Sequence, residues 1–161
     1  MTSPAHAQPT VTPLSLFRGL AIAEAITWTL LITGLVLRAT LELDIAVSVG
    51  GGVHGFVFLA YAATALIVGL NQRWSLKVAA TAIGSAVIPY ATIPVELWLT
   101  RSGRLAGAFR LAATDDARDH RLPDRALRML LRHPLALGAI VGCGVVVVFS
   151  VLLIVGPPGS H

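Results

Sequence analysis

The chain has 161 residues, 55% hydrophobic and 12% charged, with a formal net charge of +4 and a mean hydropathy of +0.79. Soluble domains carry roughly a quarter charged residues, and a single core of this size cannot hide so much apolar side chain. That excludes an ordinary soluble fold and a disordered chain, and the lone Cys143 excludes a disulfide scaffold.

Residues 1–16 read as a flexible polar tail containing Pro4, Pro9 and Pro13. No positive charge precedes Arg18, so the first apolar run lacks the form of a secretory signal peptide. Apolar stretches follow at 19–37, 47–70, 78–99 and 135–155, each near the ~20 residues that cross ~30 Å of hydrocarbon. Lipid supplies no partner for free backbone N–H and C=O groups, so each stretch is predicted to be a helix. The expected fold is an all-α integral membrane bundle of four transmembrane helices, the third kinked by Pro89 and Pro94. Its divisions are a three-span domain over 17–101, an arginine-rich loop over 102–134, a fourth transmembrane helix over 135–156 and a tail over 157–161.

The stretch 100–134 sets Arg101, Arg104, Arg110, Arg118, Arg121, Arg125, Arg128 and Arg132 against Asp115, Asp116, Asp119 and Asp124. Arg125, Arg128 and Arg132 recur at helical spacing, with Leu127, Leu130 and Leu131 opposite. This predicts a short interfacial amphipathic helix before the fourth span, opened by Pro123 and Asp124. Its three arginines are expected to face anionic lipid headgroups. Phe109 is the only aromatic residue of the stretch, so nucleic acid is not the expected partner.

With four full spans the arginine loop falls on one side and both tails on the other. The positive-inside rule then makes the loop cytoplasmic in a bacterial inner membrane, but leaves Arg73 and Lys77 outside. A re-entrant hairpin at Pro89–Pro94 would gather every cation except Arg38 on one side. Charge favours that arrangement. A turn at membrane depth must be covered by protein, however, and a small bundle offers little cover, so four spans are the expectation.

Ionisable groups inside a bilayer are functional suspects. Glu24 and Ser85 lie roughly 8 and 10 Å below one face at 1.5 Å per residue, which predicts a hydrogen bond between them. His54 and Glu96 lie towards the other face and are the better candidates for a charged or hydrogen-bonded pair. Glu24 and His54 differ by roughly 12 Å along the normal on straight helices. Each also has a plain packing reading, as a neutral group bonded to a neighbouring helix. Gly51 with Gly55, and Gly138 with Gly142, have the four-residue spacing of close helix contacts. Cys143 is a small apolar filler between glycines. No H-E-x-x-H, C-x-x-C or G-x-S-x-G occurs, so neither an enzyme, a metal nor a cofactor is expected.

Phe17-Arg18, Ala23-Glu24-Ala25 with Trp28, His54-Gly55 with Phe58, Trp74-Ser75-Leu76, and Ser85 with Ile88-Pro89 occur in that order. In this the chain resembles the YdzA-like bacterial integral membrane proteins, domain of unknown function 3817, over roughly residues 14–101. The resemblance implies a three-span membrane protein and no particular activity; the arginine loop and last span are additions to it. The expected role is a small accessory or scaffold component, as a homo-oligomer or within a larger membrane complex. The alternative is an oligomeric proton- or ion-coupled carrier using Glu24 and His54.

Overall fold

A computed structural model describes residues 11–155; the expected tail over 157–161 and most of that over 1–16 lie outside the described residues. The described chain is helical throughout its regular parts: α1 (Pro13–Leu41), α2 (Asp44–Asn71), α3 (Leu76–Gly84), α4 (Thr92–Arg101), α5 (Leu122–Arg132) and α6 (Pro134–Val155). Three of these, α1, α2 and α6, are long and apolar enough to cross a membrane.

α1 starts earlier than the apolar run because Thr12 and Ser15 form a reciprocal cap and Pro13 occupies the first turn. It ends at Glu42, in the left-handed region with φ 56°. α2 starts almost at once, and Arg38 Nε lies 3.0 Å from Asp44 Oδ1 across the turn. Two glycines set the α1–α2 approach. A Cβ on Gly34 would lie 2.6 Å from the Ala46 carbonyl oxygen, and one on Gly50 would lie 2.8 Å from that of Leu30. Nothing larger than glycine fits at this crossing.

The stretch 78–99 corrects the expectation of a kinked third span. It forms two short helices joined by a turn. Pro89 has no N–H to offer the carbonyl of Ser85 and forces extended backbone on its predecessor. Accordingly Ser85–Val87 tightens into a 3-10 turn and Ile88 is extended, with φ −106° and ψ 125°. Tyr90 then takes a left-handed φ of 64° and the chain reverses. Pro94 kinks nothing, because it lies in the first turn of α4, where its missing N–H would have had no helical partner. At 1.5 Å per residue α3 and α4 are roughly 14 and 15 Å long, each about half of a hydrocarbon core.

Contacts with α1 give the hairpin its direction. The Trp74 ring packs 5.8 Å from that of Phe17, Trp28 Nε1 donates to the Ala86 carbonyl at 3.2 Å, and Tyr90 OH lies 3.3 Å from Thr29 Oγ1. On the way back Thr92 Oγ1 donates to the Ala21 carbonyl at 3.1 Å, and Arg18 Nε meets Glu96 Oε1 at 2.9 Å. The hairpin enters beside Phe17, turns beside Thr29 and leaves beside Arg18. The core of Phe17, Ala21, Tyr61, Ala65, Val68, Ala82, Ala86 and Leu99 lies between it and the α1–α2 pair.

α6 packs on α2 through Phe149, whose ring meets that of Phe56 at 6.2 Å and abuts Gly55. Only Val145 of α6 is buried; Leu135 and Ile154 are 90% and 83% exposed. In water such a helix would be indefensible, and in lipid it is ordinary. The amphipathic helix expected before it is present as α5, with Pro123 in its first turn and Asp124 beside it.

Candidate functional site

Residues 17, 21, 24 and 28 share one face of α1, and 54, 58, 61 and 65 share one face of α2. Where those faces meet, the structure brings Glu24 and His54 together. Glu24 is wholly buried and His54 is 8% exposed, with His54 Nδ1 3.8 Å from Glu24 Oε2. Thr27 Oγ1 donates to the backbone carbonyl of Glu24 at 3.0 Å and lies 3.2 Å from His54 Nδ1. The Trp28 ring lies against the imidazole at 4.4 Å between centroids. Neither carboxyl oxygen of Glu24 has a hydrogen-bond partner.

The pairings counted from the ends of the apolar stretches are not those the structure shows. Asp44 starts α2 alongside Arg38 instead of beyond it, which draws His54 level with Thr27, removes about 5 Å of the ~12 Å expected from Glu24, and leaves the two side chains to span the last turn along the helices. Ser85 does not reach Glu24; its hydroxyl donates to the Ala82 carbonyl at 2.7 Å and lies 3.2 Å from Tyr61 OH. Glu96 does not pair with His54, because the hairpin returns it to Arg18 and to Thr100 Oγ1 at 2.9 Å. Among the glycines, Gly55 meets Phe149 and Gly51 makes an ordinary contact with Leu31, while Gly138 and Gly142 have no atom within 4 Å of a built Cβ. The glycines that meet the backbone of a neighbouring helix are Gly34 and Gly50. Thr27, Trp28 and Arg18 complete the polar contacts; for Thr27 and Trp28 the three- and four-residue spacing from Glu24 is a signal present in the sequence.

A second polar cluster sits at the Arg18 end. Arg73 Nη2 meets Asp119 Oδ1 at 2.6 Å, Arg128 Nη1 at 3.1 Å and Arg110 Nη2 at 3.3 Å; Arg73 also pairs with Asp116. Thr114 gives Asp119 Oδ2 both its hydroxyl and its backbone N–H, at 2.6 and 2.8 Å. Those two donors, with Arg73, hold the Asp119 carboxyl well below the usual carboxylate range. Asn71 pins the loop by exchanging two hydrogen bonds with the Arg110 backbone. Of the arginines expected to face lipid, Arg128 is turned into this knot and Arg132 donates twice to the Leu111 carbonyl at 3.1 and 2.8 Å. Arg125 remains exposed.

Among the described residues no three His, Cys, Asp or Glu side chains are grouped to hold a metal ion. The arrangement sets two titratable groups, Glu24 and His54, 3.8 Å apart in a buried site, and ties the imidazole to the hairpin through Trp28.

Three membrane-length apolar helices and a bilayer-compatible exterior define a helical membrane protein. The family described as "Domain of unknown function (DUF3817)" matches residues 14–101, and the chain belongs to it. The matched region holds α1 to α4 with the Glu24–His54 pair, and ends before the arginine loop. The chain is also 35% identical over 94 residues to a Streptomyces coelicolor protein named "Putative membrane protein SCO5905". That alignment covers 57% of this chain but 11% of the relative, so the chain spans about a tenth of that protein's length. No solved structure matches.

Proposed function

We propose that the chain is a three-span membrane protein with a re-entrant hairpin, serving as a small accessory or scaffold component within a larger membrane assembly. The observation that carries the reading is the contrast between its two halves. The polar side chains of α1 and α2 are closed against each other and the hairpin, whereas α6 is bare along nearly its whole length, with Gly138 and Gly142 open to a neighbour. A private solute pathway would need Glu24, His54 and the proline turn to face one wet cavity; complete burial of Glu24 argues for a dry interface instead. Extraction in mild detergent followed by native mass spectrometry tests the role. An assembly larger than one chain is expected, and a chain that emerges as a lone monomer refutes it.

Charge supports the topology. Of the twelve Lys and Arg residues, only Arg38 belongs to the α1–α2 turn; the others fall at the Arg18 end or in the loop packed on it. The positive-inside rule makes that end cytoplasmic in the bacterial cell membrane, with Asp44 outside. Single cysteines at Lys77, Asp115 and Asp44, in a Cys143→Ser background, test this with an impermeant thiol reagent. Lys77 and Asp115 should label together from the cytoplasmic side and Asp44 from outside. Labelling of Lys77 and Asp115 from opposite sides would overturn the re-entrant hairpin.

A further inference from the structure

We propose that Glu24 and His54 form a charge-balanced latch that keeps the α3–α4 hairpin seated only while the pair as a unit is electrically neutral. The inference deepens the re-entrant reading above by assigning the hairpin a control. Both carboxyl oxygens of Glu24 are buried without a donor, so a net charge at this position has nothing to compensate it. Two neutral arrangements exist: a protonated Glu24 with neutral His54, or a carboxylate with an imidazolium. A further proton leaves a net positive charge, and removal of the proton leaves a net negative one.

Every other charged or titratable group facing the pair is already engaged. On α1, Arg18 is about 9 Å along the helix from Glu24 and is taken by Glu96 of α4. On α2, Tyr61 donates its hydroxyl to the Ala82 carbonyl at 3.0 Å. At the hairpin tip, Tyr90 contacts Thr29. Neutrality must therefore come from Glu24 and His54 themselves.

The connection to the hairpin is Trp28. Its ring rests on the imidazole and its N–H is given to the Ala86 carbonyl, at the point where α3 has tightened into the 3-10 turn before Pro89. Tyr61 adds a second tie, to Ala82 and Ser85. A net charge on the pair is relieved by letting water or headgroups in, and the hairpin is the element that can move. α1 and α2 are locked by Gly34 and Gly50, whereas α3 and α4 are short and end in a turn. No proton need cross the membrane.

The test is hydrogen–deuterium exchange of peptides covering residues 82–95 in phosphatidylglycerol-containing nanodiscs, expressed at each pH as protection relative to free peptide. The parent should show a plateau of protection that falls away on both the acid and the alkaline side. Each limb should approach about tenfold per pH unit, the limit for one linked proton. His54→Gln should lose the acid limb and keep the alkaline one; Glu24→Gln should do the reverse; the double variant should lose both. Should a single variant fail to fold, Trp28→Phe keeps the ring and removes the N–H, and should flatten both limbs. Protection that is independent of pH in the parent overturns the latch, as does a double variant that keeps both limbs or a Trp28→Phe variant with full amplitude. Free-peptide exchange at every pH in the parent overturns the re-entrant hairpin and the latch together, which separates the two failures.

Discussion

Gly50 and Gly52 lie two residues apart on α2 and should respond to alanine with opposite signs. Both changes remove the same backbone freedom from the unfolded chain, and each should gain up to about 1 kcal/mol of helix stability on that account. At Gly52 nothing within 4 Å opposes the new methyl group, so Gly52→Ala should be stabilising. At Gly50 the methyl would sit 2.8 Å from the Leu30 carbonyl oxygen, 3.2 Å from its carbon and 3.3 Å from the Leu31 Cα. These are backbone atoms within a helix and cannot rotate aside, so α1 and α2 must separate. Overpacking of this kind costs about 1–3 kcal/mol. Because the glycine term is common to both variants, subtracting one from the other isolates the steric cost, and Gly50→Ala should be about 1–3 kcal/mol less stable than Gly52→Ala. Unfolding in mixed micelles by increasing the denaturing detergent fraction measures that difference directly. If Gly50→Ala proves as stable as Gly52→Ala, the close crossing of α1 on α2 is wrong.

Asp119→Asn should release α5 and the loop from the α2–α3 turn, because Arg73, Arg110 and Arg128 all converge on that carboxylate; a spin label at Arg125 should report higher mobility. Since the folded carboxyl is held below its ordinary range, its contribution is complete above the unfolded value near 3.9 and is lost as pH falls through the lower folded value. The same label in the parent should therefore stay immobile from neutral pH past ordinary aspartate titration and loosen only in stronger acid. Tyr61→Phe deletes a buried hydroxyl bonded to Ala82 and Ser85 and should cost about 0.5–1.5 kcal/mol in the micelle assay. Glu96→Gln keeps an acceptor for Thr100 and should cost less than about 1 kcal/mol, because the charge it removes faces an Arg18 side chain that is 45% exposed.

The membrane class, the start of α5 and the extent of α6 follow from local chemistry that a linear reading can see. A run of about twenty apolar residues has one meaning in a bilayer, and Pro123 with Asp124 marks the start of α5 as plainly in sequence as in space. Residues 78–99 show where this fails. Hydropathy registers that a stretch prefers lipid but carries no direction, so two short helices that reverse at a turn read as one continuous stretch. Two other signals did carry direction: the placement of Arg73 and Lys77, and the pair Pro89 and Pro94. The objection to a hairpin was lack of protein to cover its turn, and the structure answers it with side chains of α1. Trp28 and Thr29 reach the turn, and Thr92 closes on the Ala21 carbonyl.

The polar pairs failed for a related reason. Depth counted from the ends of apolar stretches assumes that neighbouring helices begin level, yet register between helices is set by whichever backbones can touch. Here Gly34 against Ala46 and Gly50 against Leu30 determine it, and they move α2 about one turn, or ~5 Å, relative to α1. That displacement brings His54 within reach of Glu24, whereas Ser85 and Glu96 take their partners from the course of the hairpin. It also explains why spacing alone does not single out Gly34 and Gly50. Gly51 and Gly55 have the right interval, but spacing places residues on a common face without saying which neighbour that face meets. Gly55 meets Phe149 of α6, Gly50 meets the backbone of α1, and only the second contact decides whether the buried acid and the imidazole share one level of the bundle.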